Sequence, residues 1–268
     1  MTAMTDPVTL ARSGDIAILS LNRPDAGNAI DLPMARGLKA QADRLAEEGW
    51  ARAIILRAEG RLFCGGGDVG TFADYIAAGR TAEFSAFLGE LAGALHEGVE
   101  ALLALDAPLI AAVQGAAAGA GMSLTLAADF TFARPGAKFV PAYPGIGFSA
   151  DGGMSWFLPR VVGARRAAQI MLTNPVLDAD QAQALGIVTE IISDADFDGA
   201  VLARAVQVAA GPRKAMGVIR RLLRQSLDTP LHDQLAAEAA GMVALSASAD
   251  VAEGLSALKQ KRRPTFTD

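Results

Sequence analysis

Two glycine-rich segments constrain the fold of this 268-residue chain more than any other feature. The first, residues 63–68 (FCGGGD), follows an apolar run at 53–56, and the second, residues 114–121 (QGAAAGAG), follows another at 109–113. Each is predicted to join a buried strand to the start of a helix. Neither has a GxGxxG or P-loop pattern, so nucleotide phosphate binding of that kind is not predicted. Unpaired N–H groups at the two helix starts could instead bind an oxygen that acquires negative charge.

The scarcity of metal ligands and thiols excludes several other kinds of site. The chain has one cysteine, Cys64, and two histidines, His96 and His232, which are far apart in the sequence. This excludes a disulfide framework and predicts no metal site. The net charge of −5 argues against nucleic-acid binding, and the 51% of hydrophobic residues suffices for a large core. The chemistry is therefore expected to use carboxylates, hydroxyls and backbone groups, with His232 in a structural role.

Two segments of the chain bear on secretion and membrane insertion. Residues 1–20 have no uninterrupted apolar run and hence no visible secretory signal. Residues 107–128 contain no charge, and their glycine spacing is typical of packed membrane helices. However, Pro108, Gln114 and the lack of aromatic or basic flanks favour a buried strand followed by a buried helix. We therefore expect a cytoplasmic protein without membrane association.

The order of predicted elements indicates an α/β fold followed by helices. Strand and helix patterns alternate over residues 1–195, and helices dominate 196–268. No repeat of 20–50 residues that would indicate a solenoid is evident. The sequence thus predicts an α/β core over 1–195 and a helical C-terminal region over 196–268.

With these loops in place, the chain resembles the crotonase superfamily of enoyl-CoA hydratases and isomerases. Further matching segments are residues 21–29 (LNRPDAGNA), 128–130 (ADF), 151–153 (DGG), 185–188 (LGIV) and the closing KRRPTF. The resemblance covers essentially the whole chain. It implies a crotonase-like spiral of β-β-α units, a homotrimer or a hexamer made of two trimers, and an acyl-CoA thioester as substrate without any other cofactor. Family membership alone does not name the reaction.

The resemblance also implies site residues. The thioester carbonyl would lie between the N–H groups of Gly65 and Ala120, which would stabilise the charge of an enolate. The positions implied to bind the coenzyme A part of the substrate are Arg23, Ala26, Gly67, Asp68 and Val69. Cys64 flanks the first loop, where it is interpreted as a small packing residue beside the bound substrate.

The C-terminal region is implied to form the trimer and to close the acyl pocket and the coenzyme A site. Its basic tail has two interpretations, a solvated terminus or a clamp for the phosphates of coenzyme A. The tail residues are Lys259, Lys261, Arg262 and Arg263.

The reaction is indicated by what replaces the two glutamates of the family's hydratases. Their positions correspond here to Ser123 and Tyr143, neither of which can act as a carboxylate base. Asp151 lies where isomerase-like members, including phenylacetate-pathway ring-epoxide isomerases, carry a catalytic acid. One carboxylate suffices for a 1,3-proton shift, so isomerisation is favoured. The competing interpretation of Asp151 is a helix N-cap, because Gly-Gly-Met and an apolar run follow it.

His96 opens another possibility. In the 4-chlorobenzoyl-CoA dehalogenase branch of the family, the general-base histidine lies at the same distance before the second strand and its glycine-rich loop. The aspartate that corresponds to Asp151 is the nucleophile in that branch. A histidine on the surface of a helix is the plain alternative. A Clp-type peptidase is not indicated, because its serine would stand at Gly119. The acyl pocket is predicted to include Tyr143, Phe148, Trp156 and a helix over residues 70–78.

Four functions therefore remain open from the sequence. They are an isomerase, an enoyl-CoA hydratase, a dehalogenase or thioesterase-like hydrolase that uses Asp151 and His96, and an acyl-CoA binder without activity.

Overall fold

A computed structural model describes residues 6–193, 195 and 197–267, and it contains two sheets. The larger sheet has six strands in the order β1-β2-β3-β4-β6-β9, and the smaller has three in the order β5-β7-β8. Only β1 is antiparallel to its neighbour in the larger sheet. The strands are β1 (Val8–Ser13), β2 (Ile16–Leu21), β3 (Ala53–Ala58), β4 (Leu109–Val113), β5 (Ala116–Ala118), β6 (Phe130–Ala133), β7 (Lys138–Val140), β8 (Leu177–Asp178) and β9 (Glu190–Ile191).

Eleven α-helices are found in the described residues, and together with the sheets they confirm the predicted α/β fold with a helical C-terminal region. The helices are α1 (Leu32–Glu48), α2 (Val69–Ala77), α3 (Thr81–Ala104), α4 (Ala120–Ala127), α5 (Met154–Val162), α6 (Ala164–Thr173), α7 (Ala179–Ala184), α8 (Phe197–Ala209), α9 (Arg213–Gln225), α10 (Leu231–Leu245) and α11 (Ala249–Gln260). Short 3-10 turns span Pro24–Ala26 and Tyr143–Ile146.

Successive strands of the larger sheet are followed by a short stretch in a second layer before the chain turns into a helix. After β4 this stretch is β5, and after β6 it is β7. After β2 and β3 it is reduced to single bridges, Ile30 with Gly67 and Cys64 with Ala117. Because β2, β3, β4 and β6 run parallel, their carboxyl ends share one edge, and the two glycine-rich loops lie there together.

Helices cover both faces of the larger sheet. On one face, α1, α3 and α4 pack on residues such as Leu19 and Leu56. On the other, α8 packs on Ile55 and Phe132. The predicted boundary at residue 195 puts α8 in the C-terminal region. Its buried side chains instead pack on the sheet, so the packed core extends through residue 209. The region that projects beyond it consists of α9–α11.

The uncharged segment 107–128 consists of β4, β5 and the eight-residue helix α4, and all eight helical residues are buried. Among the described residues, no single helix is long and apolar enough to cross a membrane. The helices α10 and α11 together meet that length and composition criterion, but they are bent by 86° at the break between them.

Candidate active site

A mostly apolar cavity of about 310 Å³ lies where the two glycine-rich loops meet α2, α3 and the segment 142–151. The long helix α3 forms one wall with side chains three or four positions apart, which places them on one face. These are Leu88, Leu91, Ala92, Leu95 and His96. At the rim, four rings from α2 and α3 stack or meet edge to face: Phe72, Tyr75, Phe84 and Phe87.

Hydrogen bonding in the first loop corrects the role predicted for Gly65. Its N–H donates to the carbonyl of Gly27 at 2.9 Å, so it is already used within the fold. The N–H groups of Cys64 and Asp68 donate to Ala116 and Ile30, and that of Gly66 approaches the Cys64 sulfur at 3.5 Å.

Only Gly67 in this loop keeps an N–H without an acceptor among the described residues, and it lines the cavity. A side chain at Gly67 would come within 2.9 Å of the Phe72 ring, so glycine keeps this wall open.

The second loop presents the N-terminus of α4 to the cavity. Gly119 takes a φ of 51°, which favours glycine, and its carbonyl accepts the N–H of Ser123. Ala120 is the first residue of the helix, where the N–H has no partner within the helix. It lines the cavity together with Gly67. The structure thus brings Ala120 beside the first loop, as predicted, but with Gly67 rather than Gly65.

Cys64 is a packing residue and does not line the cavity. Its side chain is fully buried against α4, where a side chain at Gly121 would come within 2.6 Å of the Cys64 Cβ. Burial raises the pKa of the Cys64 thiol to about 12. The placement of Cys64 among the substrate-binding residues was therefore wrong, whereas its interpretation as a small packing residue is confirmed.

Asp151 and His96 meet at the cavity wall. Nε2 of His96 lies 2.6 Å from Oδ1 of Asp151, and this oxygen also accepts the N–H of Gly152. No partner of Oδ2 is found among the described residues, and Asp151 lines the cavity. The N-cap interpretation was wrong, because α5 begins at Met154 with Gly153 as its cap and no side-chain cap. The view of His96 as a plain surface histidine was likewise incomplete, since half of its side chain is covered and it lines the cavity.

Ser123 and Tyr143, the two positions that the resemblance matches to hydratase glutamates, both contact the main chain of Asp151. Ser123 is fully buried and Tyr143 is nearly so. Their hydroxyls donate to the main-chain carbonyl of Asp151, at 2.8 Å from Ser123 and 3.0 Å from Tyr143. Burial raises the pKa of the Tyr143 phenol well above its usual range, so it remains a neutral donor. Neither group provides a carboxylate.

Arg23 and Asp68 bind each other rather than facing the cavity. The guanidinium of Arg23 lies 3.4 Å from Asp68 and 3.2 Å from Asp31, which ties the loop after β2 to the first glycine-rich loop. Asp68 also caps α2 by accepting the N–H of Thr71. Both side chains are about a quarter exposed, while Ala26 is exposed. Arg23, Ala26 and Asp68 therefore do not line the cavity.

Of the predicted acyl-pocket residues, the structure places Tyr143, Phe148 and, from the helix over 70–78, Phe72 on the cavity. Val69, which was predicted to bind the coenzyme A part, lines the same cavity. Trp156 does not reach it: its ring lies against the guanidinium of Arg160 at 3.7 Å and meets Phe157 edge to face. The pocket assignment of Trp156 was therefore wrong. Sequence reasoning missed the wall formed by α3, although the helical spacing of its apolar residues was visible.

Within the described residues, the basic tail does not reach the cavity either. Lys259 is exposed on α11. Arg262 forms a bidentate ion pair with Glu253, at 2.6 and 2.7 Å. No group of three or more potential metal ligands lies in the described part of the chain.

Comparison with known proteins agrees with this architecture. Residues 11–268 match the family model described as enoyl-CoA hydratase/isomerase. A probable enoyl-CoA hydratase from Rhodobacter capsulatus is 39% identical over 259 residues, covering 95% of each chain. The 1,2-epoxyphenylacetyl-CoA isomerase of Escherichia coli is 31% identical over 94% of this chain and 95% of its own. The crystal structure of an enoyl-CoA hydratase from Polaromonas sp. JS666 superposes with a TM-score of 0.89 at 28% identity, covering 97% of this chain and 99% of the other.

Proposed function

Because the chain belongs to the enoyl-CoA hydratase/isomerase family, whose members act on coenzyme A thioesters, we propose that it isomerises an enoyl-CoA substrate by proton transfer at Asp151. The observation that carries this proposal is that Asp151 is the single carboxylate among the described residues that line this mostly apolar cavity. One oxygen of Asp151 is held by His96 and Gly152, and the other is left to exchange a proton with the substrate.

The proposed reaction needs no group beyond this carboxylate and two N–H donors. Oδ2 of Asp151 removes a proton from the α-carbon of a β,γ-unsaturated thioester, and the electron pair moves onto the thioester oxygen as a dienolate. The protonated Asp151 then returns the proton to the γ-carbon, which leaves the double bond between the α- and β-carbons. Asp151 ends in its starting state, and no cofactor is consumed.

The thioester oxygen is proposed to accept hydrogen bonds from the N–H groups of Gly67 and Ala120. Both line the cavity, and both lack an acceptor among the described residues. A donor aimed at developing oxyanion charge is worth roughly 3–4 kcal/mol of transition-state stabilisation. The pair would thus make an enolate accessible to a base as weak as a carboxylate.

The test is the substitution Asp151→Asn, assayed by the conversion of 3-enoyl-CoA to the conjugated 2-enoyl-CoA through its ultraviolet absorbance. We expect kcat to fall by roughly 10²–10⁴-fold, the usual contribution of a general acid–base group. Binding of the thioester should persist, because the amide has nearly the same shape. Asp180→Asn, at an exposed position on α7, is the matched control and should leave kcat unchanged. An unchanged kcat in Asp151→Asn would refute the proposal.

Hydration is the first alternative, since the relative with 39% identity is a probable hydratase. It is disfavoured because Ser123 and Tyr143 replace the two carboxylates and both donate to the carbonyl of Asp151. Hydration of crotonyl-CoA above the uncatalysed background, lost in Asp151→Asn, would favour a hydratase in which Asp151 activates water.

The contact of His96 with Asp151 favours a second candidate, in which Asp151 attacks the substrate and His96 activates the water that releases it. In heavy-oxygen water, repeated turnover through an aspartyl ester would place solvent oxygen in the carboxyl group of Asp151. Proton transfer alone would leave this group unlabelled, so mass spectrometry of the peptide that contains Asp151 separates the two. Tight coenzyme A binding without turnover of any acyl-CoA tested would instead indicate a binding protein.

The assembly proposed for the chain is a homotrimer or a dimer of trimers. It is supported by the apolar surface of the C-terminal helices, where large side chains remain uncovered in the single chain. They are Ile219, Leu223, Leu231, Leu235, Met242, Val243, Leu255 and Leu258. An accumulation of large exposed apolar side chains on neighbouring helices is typical of a protein interface.

A further inference from the structure

The carbonyl of Asp151 is held by two side-chain hydroxyls that come from different parts of the chain. Ser123 lies on α4 and Tyr143 on the 3-10 turn after β7. Both donate to this one oxygen, which also accepts the N–H of Met154 at 3.2 Å, and the two hydroxyl oxygens lie 3.3 Å apart. Because Ser123 is fully buried and Tyr143 nearly so, water cannot readily take their place.

The backbone that follows this carbonyl turns through two glycines, and the N–H of Met154 closes the turn. Asp151 is followed by Gly152 and Gly153, with φ of 61° and 83°, and glycine loses more conformational freedom on ordering than any other residue. A side chain at Gly152 would come within 2.9 Å of the Ser123 Cβ, so the turn lies directly on α4. The hydroxyls therefore add to the Met154 N–H in holding Asp151 at a turn built from two glycines.

On the proposed role of Asp151, we infer that Ser123 and Tyr143 are positioning residues: they clamp the main chain of Asp151 so that its carboxylate stays on His96 and at the cavity. The positions that carry catalytic carboxylates in hydratases are thus reused here to orient a different carboxylate. Small displacements of a reacting group are costly in rate, which gives the two hydroxyls a catalytic effect that acts through Asp151.

The experiment compares Ser123→Ala, Tyr143→Phe and the double variant in the 3-enoyl-CoA assay. We expect kcat to fall about tenfold in each single variant, the loss from one buried hydrogen bond, with KM nearly unchanged. The double variant should fall further. Thr125→Val is the matched control, because this buried hydroxyl on the same helix donates to the carbonyl of Met122 at 2.7 Å, away from Asp151. It should lower the melting temperature similarly but leave kcat unchanged.

A second comparison places Tyr143→Phe in the Asp151→Asn background. If Tyr143 acts through Asp151, it should have no further effect on the residual rate. An additional loss there would show that Tyr143 acts on the substrate directly, which overturns the inference. It is also overturned if Asp151→Asn abolishes turnover while the hydroxyl variants match Thr125→Val. Full activity of Asp151→Asn would instead refute the proposed function itself.

Discussion

Three consecutive glycines at positions 65–67 are chemically identical, yet they have different roles in the fold. The N–H of Gly65 is bound by Gly27, and that of Gly67 is left at the cavity. The difference depends on Asn28, whose buried side-chain amide donates to the carbonyls of Glu59 and Leu62. This brings the loop after β2 beside the first glycine-rich loop, so partners distant in sequence decide which N–H remains free.

Cys64 provides a prediction at the residue scale. Because burial raises its pKa, the native thiol should be neutral and should react with a thiol reagent such as DTNB only after unfolding. Its unfolded pKa is about 8.5, so the neutral thiol's contribution to stability is complete below that pH. It is lost as the pH rises toward the folded pKa of about 12.

The check is the free energy of unfolding by urea at about pH 7 and about pH 10, for the native chain and Cys64→Ala. The native chain should lose more stability over this interval than the variant, which lacks the thiol. Equal losses, or rapid labelling of the folded chain, would contradict the burial of Cys64.

At the scale of elements, the start of α4 determines where the second N–H donor stands. Proline is tolerated at the first position of a helix and removes only its N–H. Gly119 has no Cβ, so the clash between a proline ring and the side chain of the preceding residue does not arise at this position. Ala120→Pro is thus a local test of the proposed oxyanion donor.

We expect Ala120→Pro to lower kcat roughly a hundredfold to a thousandfold, the cost of losing one such donor, while α4 stays folded. Ala249→Pro, at the first position of α11, is the matched control, since Ser248 before it is extended and the site is exposed. Steady-state kinetics and circular dichroism of both variants give the answer. A fully active, folded Ala120→Pro would exclude this N–H from catalysis.

At the scale of the whole molecule, the exposed apolar side chains of α9–α11 predict that several chains assemble. No residue of α10 is buried in the single chain, although Leu235 and Met242 are large and apolar. Burying a side chain of this size stabilises an interface by about 1.5–3 kcal/mol. In the isolated chain these apolar side chains therefore remain exposed to solvent.

Light scattering after gel filtration should give a mass of three or six chains. The double substitution Leu235→Asp and Met242→Asp should reduce it to one chain, because burying an unpaired carboxylate at an interface is costly. Leu172→Asp, which adds the same charge to an exposed leucine on α6, should keep the native mass. A native mass of one chain would contradict the proposed assembly.

Much of the architecture was predictable from local patterns. The helices predicted over 32–48 and 231–246 and the strand predicted over 109–113 correspond closely to α1, α10 and β4. The three-residue strands β5 and β7 were missed: β5 is three alanines with little strand preference, and β7 is too short for an alternating pattern, so both depend on pairing with strands distant in the sequence.

The sequence by itself determined the α/β fold and the two glycine-rich loops, because residue type and short-range spacing suffice for these. The proposal of Asp151 and the lack of hydratase carboxylates rest instead on the resemblance to the family. Only the tertiary structure decided that Gly67 rather than Gly65 offers its N–H, that His96 contacts Asp151, and that Ser123 and Tyr143 hold its carbonyl. Each of these depends on atoms from segments far apart in the chain, and hydrogen-bond partners are assigned by distance and direction rather than by spacing in sequence.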